Sequence, residues 1–109
     1  MRFFVTPRFP PGYFVAITLW PIGIFFNSEY WRESFVTRRH EKIHWEQQKE
    51  MLGILFYVWY GIEYLIKLFI YSNHSDAYRA ISFEREARAF EHAVGYPKIR
   101  NRYFWIAFL

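Results

Sequence analysis

Cysteine is absent from the 109 residues. Disulfide staples and thiolate metal sites are both excluded, so any metal held by this chain takes histidine and carboxylate ligands. Acidic residues are scarce too: 10 Asp and Glu stand against 14 Lys and Arg, a formal charge of +4. Such a surplus suits anionic headgroups or nucleic acid equally. No sequence pattern of an RNA- or DNA-binding module accompanies it, and no nucleic-acid partner is expected. A secretory signal is not evident: Pro7, Pro10 and Pro11 interrupt any apolar core near the N-terminus, and no small-residue cleavage site follows. The expected location is membrane-associated or cytoplasmic, with no cleavable signal.

Aromatic residues are what this chain has in excess: 13 Phe, 9 Tyr and 5 Trp make up 25% of it. Tyr and Trp favour membrane interfaces and binding surfaces, where one end of the ring is apolar and the other wet. The length fits one domain with a modest core. Three stretches divide it: N-terminal strands and an apolar segment over 1–26, a helical metal-binding core over 37–95, and a basic, apolar tail over 96–109.

Phe3-Phe4-Val5 reads as a short edge strand ending at Pro7. Residues 13–26 are apolar throughout, and Pro21 and Gly23 argue against a helix there. A buried or bulged strand pairing with residues 3–5 fits that segment, with a re-entrant or interfacial segment as the alternative. Residues 27–37 form a polar connection with room for a short helix. Ser34 or Thr37 is placed to cap the helix that follows. Residues 51–71 are the most hydrophobic run. Its eleven Leu, Ile, Val and Phe side chains favour bilayer insertion by about −5 kcal/mol in total, but Glu63 and Lys67 each cost about 3 kcal/mol at mid-span. The sums nearly cancel, so a helix buried in the domain or lying in a membrane surface is as expected as a span. After a turn at 72–76, residues 77–94 alternate as one amphipathic helix, with Gly95 as its C′ residue and Pro97 preventing continuation. The tail ends as a packed final strand or as a lipid anchor. The overall expectation is a helix-dominated α+β fold: short N-terminal strands plus about three packed helices.

The chemistry concentrates in His40-Glu41-x-x-His44. Residues 38–52 hold no proline or glycine before Gly53 and are rich in good helix formers. On a helix, positions i and i+4 share a face, so both imidazoles can aim a nitrogen at one ion. Glu41 beside them can reach a water on that ion without ligating it. Gln47 or Gln48 falls near the same face, able to orient a ligand histidine. A catalytic zinc needs a third protein ligand. If residues 38–71 were one straight helix, Glu63 would lie about 28 Å from His44. A zinc site therefore requires a break, and Gly53 is the best place for it, with Gly61 less convenient. Three helices folded up and back then bring Glu84 to the height of the histidines. Glu86 lies on the adjacent face, and Glu63 of the middle helix is a rival.

This motif, followed by a helix bearing Phe83-Glu84-Arg85-Glu86-Ala87, resembles the gluzincin branch of zinc metallopeptidases. There the third ligand is a Glu on a later helix in a Glu-x-x-Ala setting, so the resemblance implies Glu84. Arg88 departs from the pattern, standing where a carboxylate or amide would support a ligand histidine. Together with Gln47 and Ala77-Tyr78-Arg79, the two motifs also resemble small uncharacterised bacterial proteins with the same pair and aromatic-rich apolar segments. The implied activity is zinc-dependent hydrolysis of a peptide or protein substrate, with Glu41 as general base. Tyr78, His74 and His92 are candidate oxyanion donors, Tyr78 foremost. The alternative is a non-enzymatic protein on a membrane surface whose zinc is structural or vestigial.

Overall fold

The computed structural model describes residues 2–6 and 15–109. The proline-rich segment expected to end the first strand, and the start of the apolar 13–26 stretch, lie outside the described residues. The fold is a helix-dominated α+β arrangement: β1 (Phe3–Val5), β2 (Ala16–Leu19), β3 (Gly23–Phe26), α1 (Glu29–Glu33), α2 (Phe35–Glu50), α3 (Ile54–Tyr71), α4 (His74–Ala80), α5 (Ser82–Phe90), α6 (Tyr96–Ile99) and a 3-10 helix (Phe104–Phe108).

The apolar segment expected as one strand makes two. A turn through the cis Trp20–Pro21 peptide separates β2 from β3, which pair antiparallel with Ala16 opposite Phe26 and Thr18 opposite Ile24. β1 is an edge strand, as its sequence indicates, and lies parallel to β3 in the order β1-β3-β2. Gly23 is required by close approach: a Cβ there would sit 2.6 Å from both the Arg2 carbonyl oxygen and the Phe4 ring. Strand periodicity places Ala16 and Thr18 on the inner face, against α2. Ile24 and Phe26 complete that layer, with Trp31 and Trp45 packed on it.

α2 starts where Ser34 accepts a hydrogen bond from the Thr37 backbone N–H, at 3.3 Å. It stops where the sequence demands. Leu52 and Gly53 have φ values of 56° and 73°, and the Gly53 N–H closes the last turn on the Gln48 carbonyl at 2.8 Å. The chain doubles back there into α3. Phe56 of α3 then packs at a tilt against Phe83 of α5, centroids 4.4 Å apart, in a core shared with Ile81 and Trp105. Full burial of each such side chain contributes about 1.5–3 kcal/mol. A second apolar cluster, Ile43, Ala87 and Tyr96, clamps α2 to α5 directly.

Two expectations need correction. The amphipathic stretch at 77–94 is not one helix. It divides at Ile81, whose extended backbone ends α4, and α5 finishes at Phe90. The break has a tertiary cause: buried Glu63 of α3 accepts from Ser82 N–H at 2.9 Å and Ser82 Oγ–H at 2.7 Å, capping α5 from another helix. The tail is not a strand either. Pro97 opens α6 at its first turn, where a missing N–H costs nothing, and the chain ends in the 3-10 helix. Arg100 anchors that tail with hydrogen bonds to buried Glu86 at 2.7 and 2.9 Å and an ion pair to Glu50.

At Gly53, φ 73° and ψ −69° lie where an L side chain is strained. Gly53→Ala is expected to lower the unfolding free energy by about 1–3 kcal/mol, read as an earlier urea midpoint with an unchanged slope.

Candidate metal centre

α2 sets its two histidines one turn apart, their rings 4.9 Å between centroids. Across from them, the first turn of α5 presents Glu84, fully inside the protein at 3% exposure. One oxygen, Oε1, lies 3.3 Å from His40 Nε2 and 3.1 Å from His44 Nε2. The three ligand atoms fall within 4.8 Å of one another, and these residues could hold a metal ion. A tetrahedral ion with bonds of about 2.0–2.1 Å separates its ligand atoms by about 3.3–3.4 Å. The N···O edges, at 3.3 and 3.1 Å, are at or slightly inside that spacing.

The surrounding groups settle which ring nitrogens face inward. His40 Nδ1–H donates to Glu91 Oε2 at 2.7 Å, and Arg39 holds the Glu91 backbone carbonyl at 2.7 Å. His44 Nδ1–H donates to Gln47 Oε1 at 2.7 Å. The Gln47 amide cannot be flipped, because its NH2 donates to the Phe83 carbonyl at 3.1 Å and to Glu86 at 3.0 Å. Both Nε2 atoms therefore face Glu84, the ring orientation in which each can offer a lone pair to a metal once its proton leaves. The other Glu84 oxygen accepts from the Tyr60 hydroxyl at 2.9 Å.

Burial by itself would lower the His40 pKa, but hydrogen bonds to Glu84 and Glu91 outweigh it and raise the value to about 10. His44 moves upward for the same balance of burial against Glu84. Burial would raise Glu84, yet the two histidines hold it well below the ordinary carboxylate range. The pocket is built to carry positive charge beside one buried acid.

Glu41 is buried too, and the Thr18 hydroxyl of β2 lies 2.9 Å from its Oε1. A cleft of about 480 Å³ opens there, lined among others by Thr18, Glu41, His44, Tyr60, Tyr78 and Glu84. Tyr78 thus reaches the site. Burial, then the negative charge of Glu84 and Glu41, pushes its phenol pKa upward, so it stays protonated. His74 also borders the cleft, at 2.9 Å from the Tyr64 hydroxyl. His92 does not: its side chain is 77% exposed and lies near Glu91.

The rivals for third ligand have other work. Glu63 caps α5 and Glu86 binds Arg100, Gln47 and the Tyr96 hydroxyl; neither reaches the histidines. Glu84 stands in the first turn of its helix, because α5 begins afresh at Ser82. Of the two glutamines, Gln47 orients His44. Gln48 instead tethers β2, donating to the Thr18 carbonyl and accepting from Trp20 N–H, both at 2.8 Å. Glu91 takes the supporting role that Arg88 leaves open. Its spacing of seven from Glu84 keeps it on the same helical stripe, a signal present in the sequence. Tyr60 and Thr18 carry no such signal, since only the fold brings them to the site.

No protein-family model, curated protein or solved structure matches this chain.

Glu91→Ala is expected to weaken metal affinity by about 10–100-fold with the fold retained, measured by competition against a chromophoric chelator. For metal-free protein, the depressed Glu84 pKa stabilises the fold above about pH 4.5 and is lost as pH falls through it. The raised His40 pKa stabilises below about 6.5, and that contribution is lost as pH rises to about 10. Melting temperature in EDTA should therefore be highest between about pH 4.5 and 6.5 and fall steadily toward pH 10.

Proposed function

We propose that this chain is a zinc-dependent hydrolase, a minimal metallopeptidase whose ligands are His40, His44 and Glu84. The observation that carries this reading is the convergence of two Nε2 atoms and one carboxylate oxygen within 4.8 Å of one another, beside a cleft that also holds Glu41. Two imidazoles and one carboxylate leave a position open, which is the donor set of catalytic rather than structural zinc. Zinc held there lowers the pKa of a bound water towards about 7 and polarises the scissile carbonyl.

The protein's own groups supply the rest. Glu41 takes the proton of the attacking water and delivers it to the leaving nitrogen as the C–N bond breaks. Thr18 occupies one of its oxygens, leaving the other for that transfer. Tyr78, kept protonated, donates to the oxygen of the tetrahedral intermediate. Glu91 and Gln47 hold the ligand rings. A Glu ligand on a later helix supports kinship with gluzincin-type peptidases, and here the first histidine is supported from Glu91, a turn beyond Arg88.

Purified protein should bind one zinc per chain, and His40→Ala should abolish stoichiometric binding. Glu41→Gln is expected to keep the metal yet slow cleavage of a quenched peptide library by about 10²–10⁴-fold. Unchanged metal content in His40→Ala, or unchanged hydrolysis in Glu41→Gln, overturns the assignment.

A further inference from the structure

Tyr60 and Glu63 stand three residues apart on one face of α3. Both reach the first turn of α5. Glu63 accepts from the Ser82 N–H and hydroxyl, which fixes where that helix begins. Tyr60 meets the side chain two residues further on, donating its hydroxyl proton to Glu84 Oε2 at 2.9 Å. The Tyr60 ring lies parallel to Phe83, centroids 6.1 Å apart, and packs against Phe56 at 5.5 Å. Those two rings belong to the apolar core, so the hydroxyl is held in a set place.

The two oxygens of Glu84 thereby face different partners. Oε1 lies 3.3 Å from His40 Nε2 and 3.1 Å from His44 Nε2, while Oε2 is turned to Tyr60. A carboxylate is able to grip a cation through one oxygen or through both. Two imidazoles do not by themselves choose between those modes, but a donor on the second oxygen does. Swinging Oε2 to a cation would leave the Tyr60 hydroxyl, set in an aromatic wall, without its acceptor.

A phenol has one proton to donate, so Tyr60 has none left for a substrate. Tyr78 is the other hydroxyl beside Glu84. In the reaction proposed above its proton goes to the substrate oxygen.

The geometry points to Tyr60 as a positioning residue: its hydroxyl holds Glu84 to a metal through Oε1 alone, so that the place Oε2 would fill stays open for the reacting water. A catalytic site with three protein ligands needs that opening. This role rests on the metal-dependent reading above and is separable from it by experiment.

Cobalt(II) serves as a coloured probe, because its visible bands are intense in four-coordinate sites and weak in five-coordinate ones. Wild type loaded with one Co(II) per chain should show the intense bands. Tyr60→Phe, its fold checked by circular dichroism, should still bind one Co(II) but lose most of that intensity. With zinc, the same variant should cleave peptide about 10–100-fold more slowly. Tyr78→Phe should keep the wild-type bands, whatever it does to turnover. Wild-type bands in Tyr60→Phe, loss of its cobalt, or equal weakening in Tyr78→Phe overturns the role.

Wild type also gives a check that needs no variant. With isotope-labelled glutamate carboxyls, the infrared difference between loaded and metal-free protein should show the wide splitting of carboxylate stretches that one-oxygen binding produces. A narrow splitting, the mark of chelation by both oxygens, overturns the role even where Tyr60→Phe does not fold. Wild type that binds no cobalt overturns the metal reading and this role together. The expected spectra without hydrolysis by any form overturn the hydrolase reading alone and leave Tyr60 holding Glu84.

Discussion

A carboxylate with almost no access to water must be compensated where it lies, and Glu84 is compensated by the two imidazoles of α2. That single requirement ties the first turn of α5 to the middle of α2. Much of the interior serves it. Glu63 caps the start of α5 and so fixes where Glu84 emerges. Gln47 spans from His44 to the Phe83 carbonyl and to Glu86, locking helix to helix through one amide. Arg100 then neutralises Glu86 and Glu50 together, drawing the tail over the junction. A chain of buried acids, each answered by a named partner, holds the site from behind.

The sheet performs a different service. Its strands are short, but β2 lies along α2 and contributes Thr18 to Glu41, while Gln48 satisfies two backbone groups of β2. The side chains of α2 thus face two ways, toward α5 for the histidines and toward β2 for Glu41. The cleft forms where those two directions part. There the Glu41 carboxylate, 2.9 Å from the Thr18 hydroxyl, shares the cleft with His44 and Glu84.

α3 links this site to its surroundings. One side supplies Phe56 to the core and Tyr60 to Glu84; the other is uncharged and faces outward. The same helix forms a wall of the cleft. Its composition reflects that division: Glu63 and Lys67 fall on the protein side of the wheel, which is why a simple sum over the segment nearly cancelled while its outer arc is wholly apolar.

Residues acting through their own neighbourhood were legible in the sequence. The spacing of His40 and His44 on an uninterrupted helix, the cap at Ser34, the edge strand at Phe3–Val5 and the reversal at Gly53 follow from local backbone preference and helical period, and the coordinates agree with each. Glu84, Glu86 and Glu63 could not be separated in that way. All three are helical acids at comparable reach, and only packing decides that one faces the imidazoles, one an arginine and one a helix end. The break at Ile81, the helical tail and the contributions of Thr18 and Tyr60 were likewise decided in three dimensions. Local chain geometry sets which residues share a face. Which faces meet depends on burying charge and apolar surface together across the whole molecule, and that information exists only once the chain has folded.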